Sequence, residues 1–356
     1  MTSVVPTTER LPLSLDEITP QWLSGALARS FPGVEVASTR RDREFFGTAA
    51  SARLHLTYAP GSPAGPASVH VKGGFDDTWR RRVWVTLQQE VSFYNEVAPE
   101  IDLNIPRVYF AEMDDSPQGL IVLEDLAARG VAFGQNFLPV TPDHAASVLE
   151  QLARMHAAWW DSPELGRFEG WEVAQRKYLK HCFRPSHWEV LVEWANGDLL
   201  REAIGSSANA VTVLEQLWDW CDSQPRTFLH GDPHGGNFYY EPDGRPGILD
   251  WQLCFAGNYS HDMAWVIVTT LDVEQRRANE RDLVETYRDA LVAAGPSAPA
   301  SEDMWSAYRR QMAHAIASYG AMPRDNGPAA VMEEAGKRVF TAAIDHDVLG
   351  VYGLKQ

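Results

Sequence analysis

Apolar residues recur along the chain with two periods, and the change from one to the other divides it. Residues 19–31, TPQWLSGALARSF, open with a threonine cap and a proline at the first helical position, and helical spacing puts Trp22, Leu23, Ala26 and Leu27 on one face. Alternation follows. Residues 53–58 and the run Val69-His70-Val71-Lys72 read as two strands, and the turn-rich APGSPAGPAS between them predicts a loosely connected hairpin. A helix near residues 84–97 and a buried strand over residues 120–123 complete an N-terminal α+β unit. Beyond about residue 140 the period is mostly helical. Val148, Leu152, Met155 and Trp159 form one face, Leu283, Val284, Tyr287 and Leu291 a second before Gly295, and Trp305, Tyr308, Met312, Ile316 and Tyr319 a third. One hairpin interrupts the helices, with strands over 237–240 and 247–251 around the turn EPDGRP.

The 356 residues suffice for two lobes, and 45% hydrophobic with 22% charged residues is an ordinary globular balance. Every apolar run is broken by a charge or a histidine before it reaches membrane-spanning length, and the N-terminus lacks a signal-peptide pattern. The expectation is a cytoplasmic protein. Three scattered cysteines, Cys182, Cys221 and Cys254, form neither a metal knuckle nor a disulfide framework. A net charge of −17 argues against nucleic acid and anionic membranes as partners. That charge is spread evenly, with −6 in residues 1–125 and −11 in the remainder.

The most specific stretch runs FLHGDPHGGNFYY over residues 228–240. Asp232 precedes Asn237 by five positions, the spacing of a kinase catalytic loop, and Asp250 follows in Ile-Leu-Asp-Trp-Gln at the end of the expected second strand. Phosphoryl transfer needs one carboxylate to orient a hydroxyl and accept its proton. It also needs an amide and a second carboxylate to hold a metal beside the phosphates. Two other readings exist. A Gly/Pro-rich stretch is by itself a turn, and His230, Asp232 and His234 could form the triad of a non-haem iron oxygenase. Neither accounts for Asn237 and Asp250.

On His230-Gly231-Asp232-Pro233-His234, Asn237 and Asp250-Trp251-Gln252, the chain resembles the aminoglycoside-phosphotransferase-like superfamily of kinases, leaning towards its ecdysteroid-kinase-like and choline-kinase-like branches. The resemblance implies Asp232 as catalytic base, Asn237 and Asp250 as Mg2+ ligands, and His230 and Asp262 as supports of the catalytic loop. It also implies ATP or GTP as phosphate donor.

On the nucleotide side, Lys72 ends its strand as the phosphate-binding lysine of the kinase pattern does, and Glu90 lies 18 residues on in a helical stretch. Taken alone such a pair is a surface ion pair; Glu96 competes, and Glu90 is preferred because the family pattern places the acid before the Phe93-Tyr94 pair. Strand alternation puts His70 on the face of Lys72, where it is expected to pack on the adenine although the kinase pattern has a small residue there. Residues 46–51, FGTAAS, occupy the place of the phosphate-covering loop with one glycine, so backbone amides near Thr48 and Ser51 are expected to meet phosphate oxygens. The backbone of Glu124 and Leu126 is expected at the interlobe hinge, against the base. His156, on a core-facing pattern, reads as a satisfied core histidine.

The expected fold is a protein-kinase-like α+β bilobe. A small β-rich N-lobe spans 1–125, and a larger, mostly helical C-lobe spans 126–356. The expected reaction is Mg-dependent O-phosphorylation of a small hydroxylated molecule; the rival is a silent, pseudokinase-like nucleotide-binding protein. Residues 159–194 hold Trp159, Trp160, Trp171, Trp188 and Trp194, so aromatic faces near Asp232 and a lipophilic acceptor are expected over an aminoglycoside.

Overall fold

A computed structural model of the chain describes residues 10–46, 49–116, 118–295, 297–322 and 329–354. Thr48 lies outside the described residues, as does Gly47. The first helix, α1 (Pro20–Leu27), starts as its sequence demands: Thr19 Oγ1 accepts from the Trp22 N–H at 3.2 Å, and Leu23, Ala26 and Leu27 are buried. Five strands follow in one antiparallel sheet, β1 (Val36–Phe46), β2 (Ala50–Tyr58), β3 (Ser68–Gly73), β4 (Val108–Met113) and β5 (Gly119–Glu124), in the order β1-β2-β3-β5-β4. The sheet has two unlike faces. Ala52, Leu54, Val69, Val71, Leu120 and Val122 pack with Leu23 and Leu27 of α1 into a small core of their own. The alternate residues, among them Ser51, Arg53, His70 and Lys72, face the other way.

Helix α2 (Asp77–Ser92) sits between β3 and β4 and widens into a π-turn at Phe93–Val97. It begins seven residues before the expected start, because three consecutive arginines, Arg80-Arg81-Arg82, mask the apolar spacing of its first turns. After β5 the chain makes a short strand, β6 (Ala132–Phe133), and becomes helical: α3 (Pro142–Ala158), α4 (Trp171–Cys182), α5 (Pro185–Leu191), α6 (Gly197–Ile204) and α7 (Ser207–Asp222). Strand β7 (Arg226–Leu229) leads into the segment 230–237. The hairpin β8 (Phe238–Tyr240) and β9 (Pro246–Ile248) follows, and β10 (Phe255–Asn258) pairs back onto β7. The chain continues through α8 (Ser260–Thr270), α9 (Val273–Ala293), α10 (Ser301–Arg310), α11 (Met312–Ala321), α12 (Ala329–Asp345) and α13 (Val348–Val351).

The three apolar faces read from the sequence are all in the core, but the third is broken: α10 and α11 are separate helices meeting at Gln311. The main core is continuous across the molecule. Val91, Phe93, Tyr94 and Val97 behind the sheet, with Ile121 and Leu123 of β5, join the same cluster as Leu152, Phe228, Trp251 and Val266. No helix among the described residues is long and apolar enough to cross a membrane.

Candidate active site

Strand β7 delivers the segment 230–237 between two fixed ends. Gly231 takes φ +85°, and a Cβ there would lie 2.0 Å from the Leu253 carbonyl, so only glycine closes this turn. The turn's backbone is anchored by one carboxylate. Asp262, fully buried on α8, accepts from the N–H of His230 at 2.7 Å and of Gly231 at 3.0 Å, while His156 Nε2 meets it at 3.3 Å. Burial opposes the charge, but the bond from His156 and the surrounding imidazoles hold Asp262 below its ordinary pKa. His156 is itself satisfied, with Nδ1 2.6 Å from the Tyr287 hydroxyl.

His230 Nε2 donates to the Leu249 carbonyl at 3.0 Å, and its Nδ1 accepts the Asp232 N–H at 3.2 Å. Both ring nitrogens are thereby committed to backbone, and His234 uses Nδ1 to accept the Gly236 N–H at 3.0 Å. The three residues therefore do not converge as an iron triad would.

Asp232 lies at the mouth of this loop with 30% of its side-chain surface exposed. Its Oδ1 accepts from Trp265 Nε1 at 2.8 Å, and Oδ2 stands 3.6 Å from His234 Nε2. Crowding by the protein raises its pKa against the opposing pull of His234 and Trp265. Asn237 donates Nδ2 to the Asp232 carbonyl at 2.9 Å, and its own carbonyl accepts the Leu249 N–H at 2.9 Å. Asp250 is not on a strand: β9 ends at Ile248, and Asp250 sits two residues beyond in a left-handed conformation, φ +67°. Such a backbone is costly for a residue with a side chain and is held here by its surroundings. Trp251 beside it is fully buried, stacked on Phe93 with centroids 3.7 Å apart and 6° between planes, and packed on His230 at 4.6 Å.

Lys72 reaches across to this loop. Its Nζ is 2.8 Å from Glu90 Oε2 and 2.8 Å from Asp250 Oδ1, while Glu96 faces Arg167 instead. Burial would lower the Lys72 ammonium, but Asp250 and Glu90 outweigh it and raise its pKa. Burial raises Glu90, whereas Lys72 overcomes burial at Asp250 and lowers it. Helix α2 is tied to the loop a second time, since Gln89 Nε2 donates to the Cys254 carbonyl at 3.1 Å. Ser51 is buried and pairs with Lys72 in the β2–β3 ladder; His70 lies two residues along on the same face.

At the end of β5, the Glu124 N–H donates to the Arg107 carbonyl at 2.8 Å, and its carboxylate takes Arg107 N and Arg129. Of its backbone groups, only the carbonyl is left to meet a base. Leu126 opens a short 3-10 helix capped by Asp125, so its N–H is one that the helix itself does not satisfy.

The aromatic residues of 159–194 make their ring contacts away from Asp232. Trp159 and Trp171 pack on Phe168 in the core, Trp160 on Tyr259, Trp188 on Phe183 and Trp194 on Tyr319. The indole at Asp232 is Trp265, which periodicity alone did not single out. Its signal was its place three residues after Asp262, one helical turn along the face of α8 that meets the loop.

Four histidines line this region with pKa values lowered first by burial: His230, His261, His314, and His70, driven to about 4. His261 Nε2 holds the Gly231 carbonyl at 3.0 Å, and its ring lies 4.0 Å from that of His314. A histidine with a lowered folded-state pKa stabilises fully above its unfolded value near 6.5, and that stability is lost as pH falls below it. The melting temperature is therefore expected to fall from pH 7 towards pH 5, with a shallower slope in His314→Gln. An unchanged slope would show that His314 takes up its proton without cost.

Sheet lobe, helical lobe and the Lys72–Glu90–Asp250 constellation between them define a kinase-like fold. The Ecdysteroid kinase-like family model matches residues 82–295, more than half of the chain, and the chain belongs to that family. No curated protein sequence matches it. Among solved structures it is similar to the choline kinase LicA from Streptococcus pneumoniae, with TM-score 0.51, 13% identity and coverage of 91% of this chain and 98% of that one. It is similar also to a microcompartment-associated aminopropanol kinase, with TM-score 0.52, 12% identity and coverage of 94% and 99%. At such identity the likeness establishes the fold.

Proposed function

We propose that the chain is a magnesium-dependent phosphotransferase that moves the γ-phosphoryl group of ATP or GTP to a hydroxyl of a small molecule. The observation that carries this reading is Lys72, drawn from the sheet lobe onto Glu90 and onto the loop carboxylate Asp250 at 2.8 Å each. The cleft between residues 1–125 and 126–356 then holds the nucleotide. Lys72, kept in place by Glu90, grips its phosphates, with Ser51 over them. His70 and the backbone of Glu124 and Leu126 meet the base.

Asn237 and Asp250 suit magnesium. With Nδ2 on the Asp232 carbonyl, the Asn237 amide oxygen is the atom that would take the metal, and Asp250 keeps Oδ2 beyond the Lys72 contact. A bound magnesium ion would neutralise charge growing on the phosphates. Asp232 does the proton chemistry. Trp265 fixes Oδ1, leaving Oδ2 to accept the acceptor's hydroxyl proton as its oxygen bonds to phosphorus and the bond to the β-phosphate oxygen breaks. His230 and Asp262 hold the loop that carries it.

The acceptor is proposed to be lipophilic, such as a sterol, terpenoid or macrolide alcohol. The two named kinases, for choline and aminopropanol, make amino alcohols the next class to try. Free Cys182, Cys221 and Cys254 fit the proposed cytoplasmic location.

The test is turnover of Mg·ATP and Mg·GTP against lipophilic alcohols, amino alcohols and aminoglycosides, with the phosphorylated product identified by mass spectrometry. Preference for an aminoglycoside overturns the acceptor class; nucleotide binding without turnover across the panel favours a silent relative. In Asp250→Ala the magnesium-dependent part of nucleotide affinity is expected to vanish, a loss of roughly tenfold or more for each 1.4 kcal/mol of charge interaction removed. Calorimetry with and without magnesium checks it, and an unchanged magnesium effect removes Asp250 from the metal site.

A further inference from the structure

Cross-strand pairing fixes what lies over the base. Ser51 stands opposite Lys72 in the β2–β3 ladder, and Arg53 stands opposite His70, one full pleat farther from the phosphate end, roughly 7 Å. An aliphatic pair there would give a greasy ceiling. This chain has a guanidinium and an imidazole instead.

Arg53 is held in a fixed plane. Its Nε donates to Asp125 Oδ2 at 2.6 Å, and Nη1 lies 3.6 Å from Asp42 Oδ2. Asp125 is well suited to hold it: its carboxylate is 7% exposed, Oδ2 also accepts from the Ser68 hydroxyl, and Oδ1 caps the Ala127 N–H where the chain leaves β5. Arg53 keeps 26% of its side-chain surface open. Burial and the nearby Lys72 keep His70 neutral at ordinary pH, so the ring beside Arg53 adds a flat, uncharged surface.

We propose that Arg53, clamped by Asp125, is the base-recognition residue of the nucleotide site, stacking its guanidinium plane on the nucleobase beside His70. This rests on the phosphotransferase reading. A guanidinium is planar, weakly hydrated and attracted to π faces, and one already fixed by a carboxylate loses little freedom when a base arrives. Lysine, a point charge without a plane, does not replace it.

The experiment compares ADP with inorganic tripolyphosphate, which has the phosphates without a base, by calorimetry in the presence of magnesium. In Arg53→Ala, ADP affinity is expected to fall about tenfold while tripolyphosphate affinity stays within about twofold. Arg53→Lys is expected to recover less than half of the loss. Arg53→Gln gives the same contrast at nearly native size should the alanine variant fold poorly. Equal losses for the two ligands, full rescue by lysine, or ADP affinity within twofold of the unaltered chain would overturn the proposal. Failure of the unaltered chain to bind either ADP or GDP overturns the phosphotransferase reading with it, so the two failures are told apart by the first titrations.

Discussion

Asparagine in place of Asp232 is expected to slow turnover by about a thousandfold and to leave nucleotide affinity within about threefold. The substitution is nearly isosteric, and what Asp232 does for the loop survives it. Asn237 bonds the Asp232 main-chain carbonyl, not the carboxylate, and an amide oxygen can still accept from Trp265 Nε1. What disappears is a basic oxygen. The crowding that raises the Asp232 pKa makes it a better proton acceptor than an exposed carboxylate, and an amide has no such capacity at any pH. Single-turnover kinetics paired with calorimetry separate the two effects. Turnover within tenfold of the unaltered chain would sink the assignment, and a matching loss of affinity would show that Asp232 holds the nucleotide instead.

Asp262→Ala is expected to be the most damaging single change to stability, costing about 3–5 kcal/mol and lowering the melting temperature by roughly 4–7 °C. Three partners lose their acceptor together: the N–H groups of His230 and Gly231 and the ring of His156, all in the interior. Water cannot replace it without opening the core. Asp262→Asn should be milder, since one amide oxygen can serve one of the two N–H groups. Thermal unfolding of both variants checks the order, and equal melting points for Asp262→Ala and the unaltered chain would mean that the loop is held elsewhere. The carboxylate's depressed pKa has a matching sign: its contribution is present above about pH 3.8 and is lost as pH falls through the folded value.

The parts legible in the sequence are those whose chemistry is packed into short spacing. Asp232 and Asn237 lie on one loop, and Lys72 and Glu90 sit on neighbouring elements, so residue type and separation were enough to bring them forward. The edge strand β1 was not legible because its run Val-Ala-Ser-Thr-Arg-Arg-Asp-Arg-Glu alternates charge with charge, as suits a strand with one neighbour and an open side. Asp250 was placed on a strand because the apolar run Gly247–Leu249 continues to it. Its left-handed backbone is set by Lys72 and the stacked Trp251, both products of tertiary structure. Arg53 and Asp125 are 72 residues apart, and no local pattern joins them. The tryptophans of 159–194 were over-read because aromatic density marks a core as readily as a pocket.

The core that runs unbroken beneath the cleft also bears on how such a chain can be divided. Many two-lobed proteins could lose one half and leave the other as a folded remnant. Here Val91, Phe93, Tyr94 and Val97 are buried jointly by both halves, and Phe93 lies flat on Trp251. A break after β5 would strip that apolar surface bare on each fragment at once. The two lobes are therefore a single heritable unit, tolerant of insertions at their outer edges and intolerant of truncation between them.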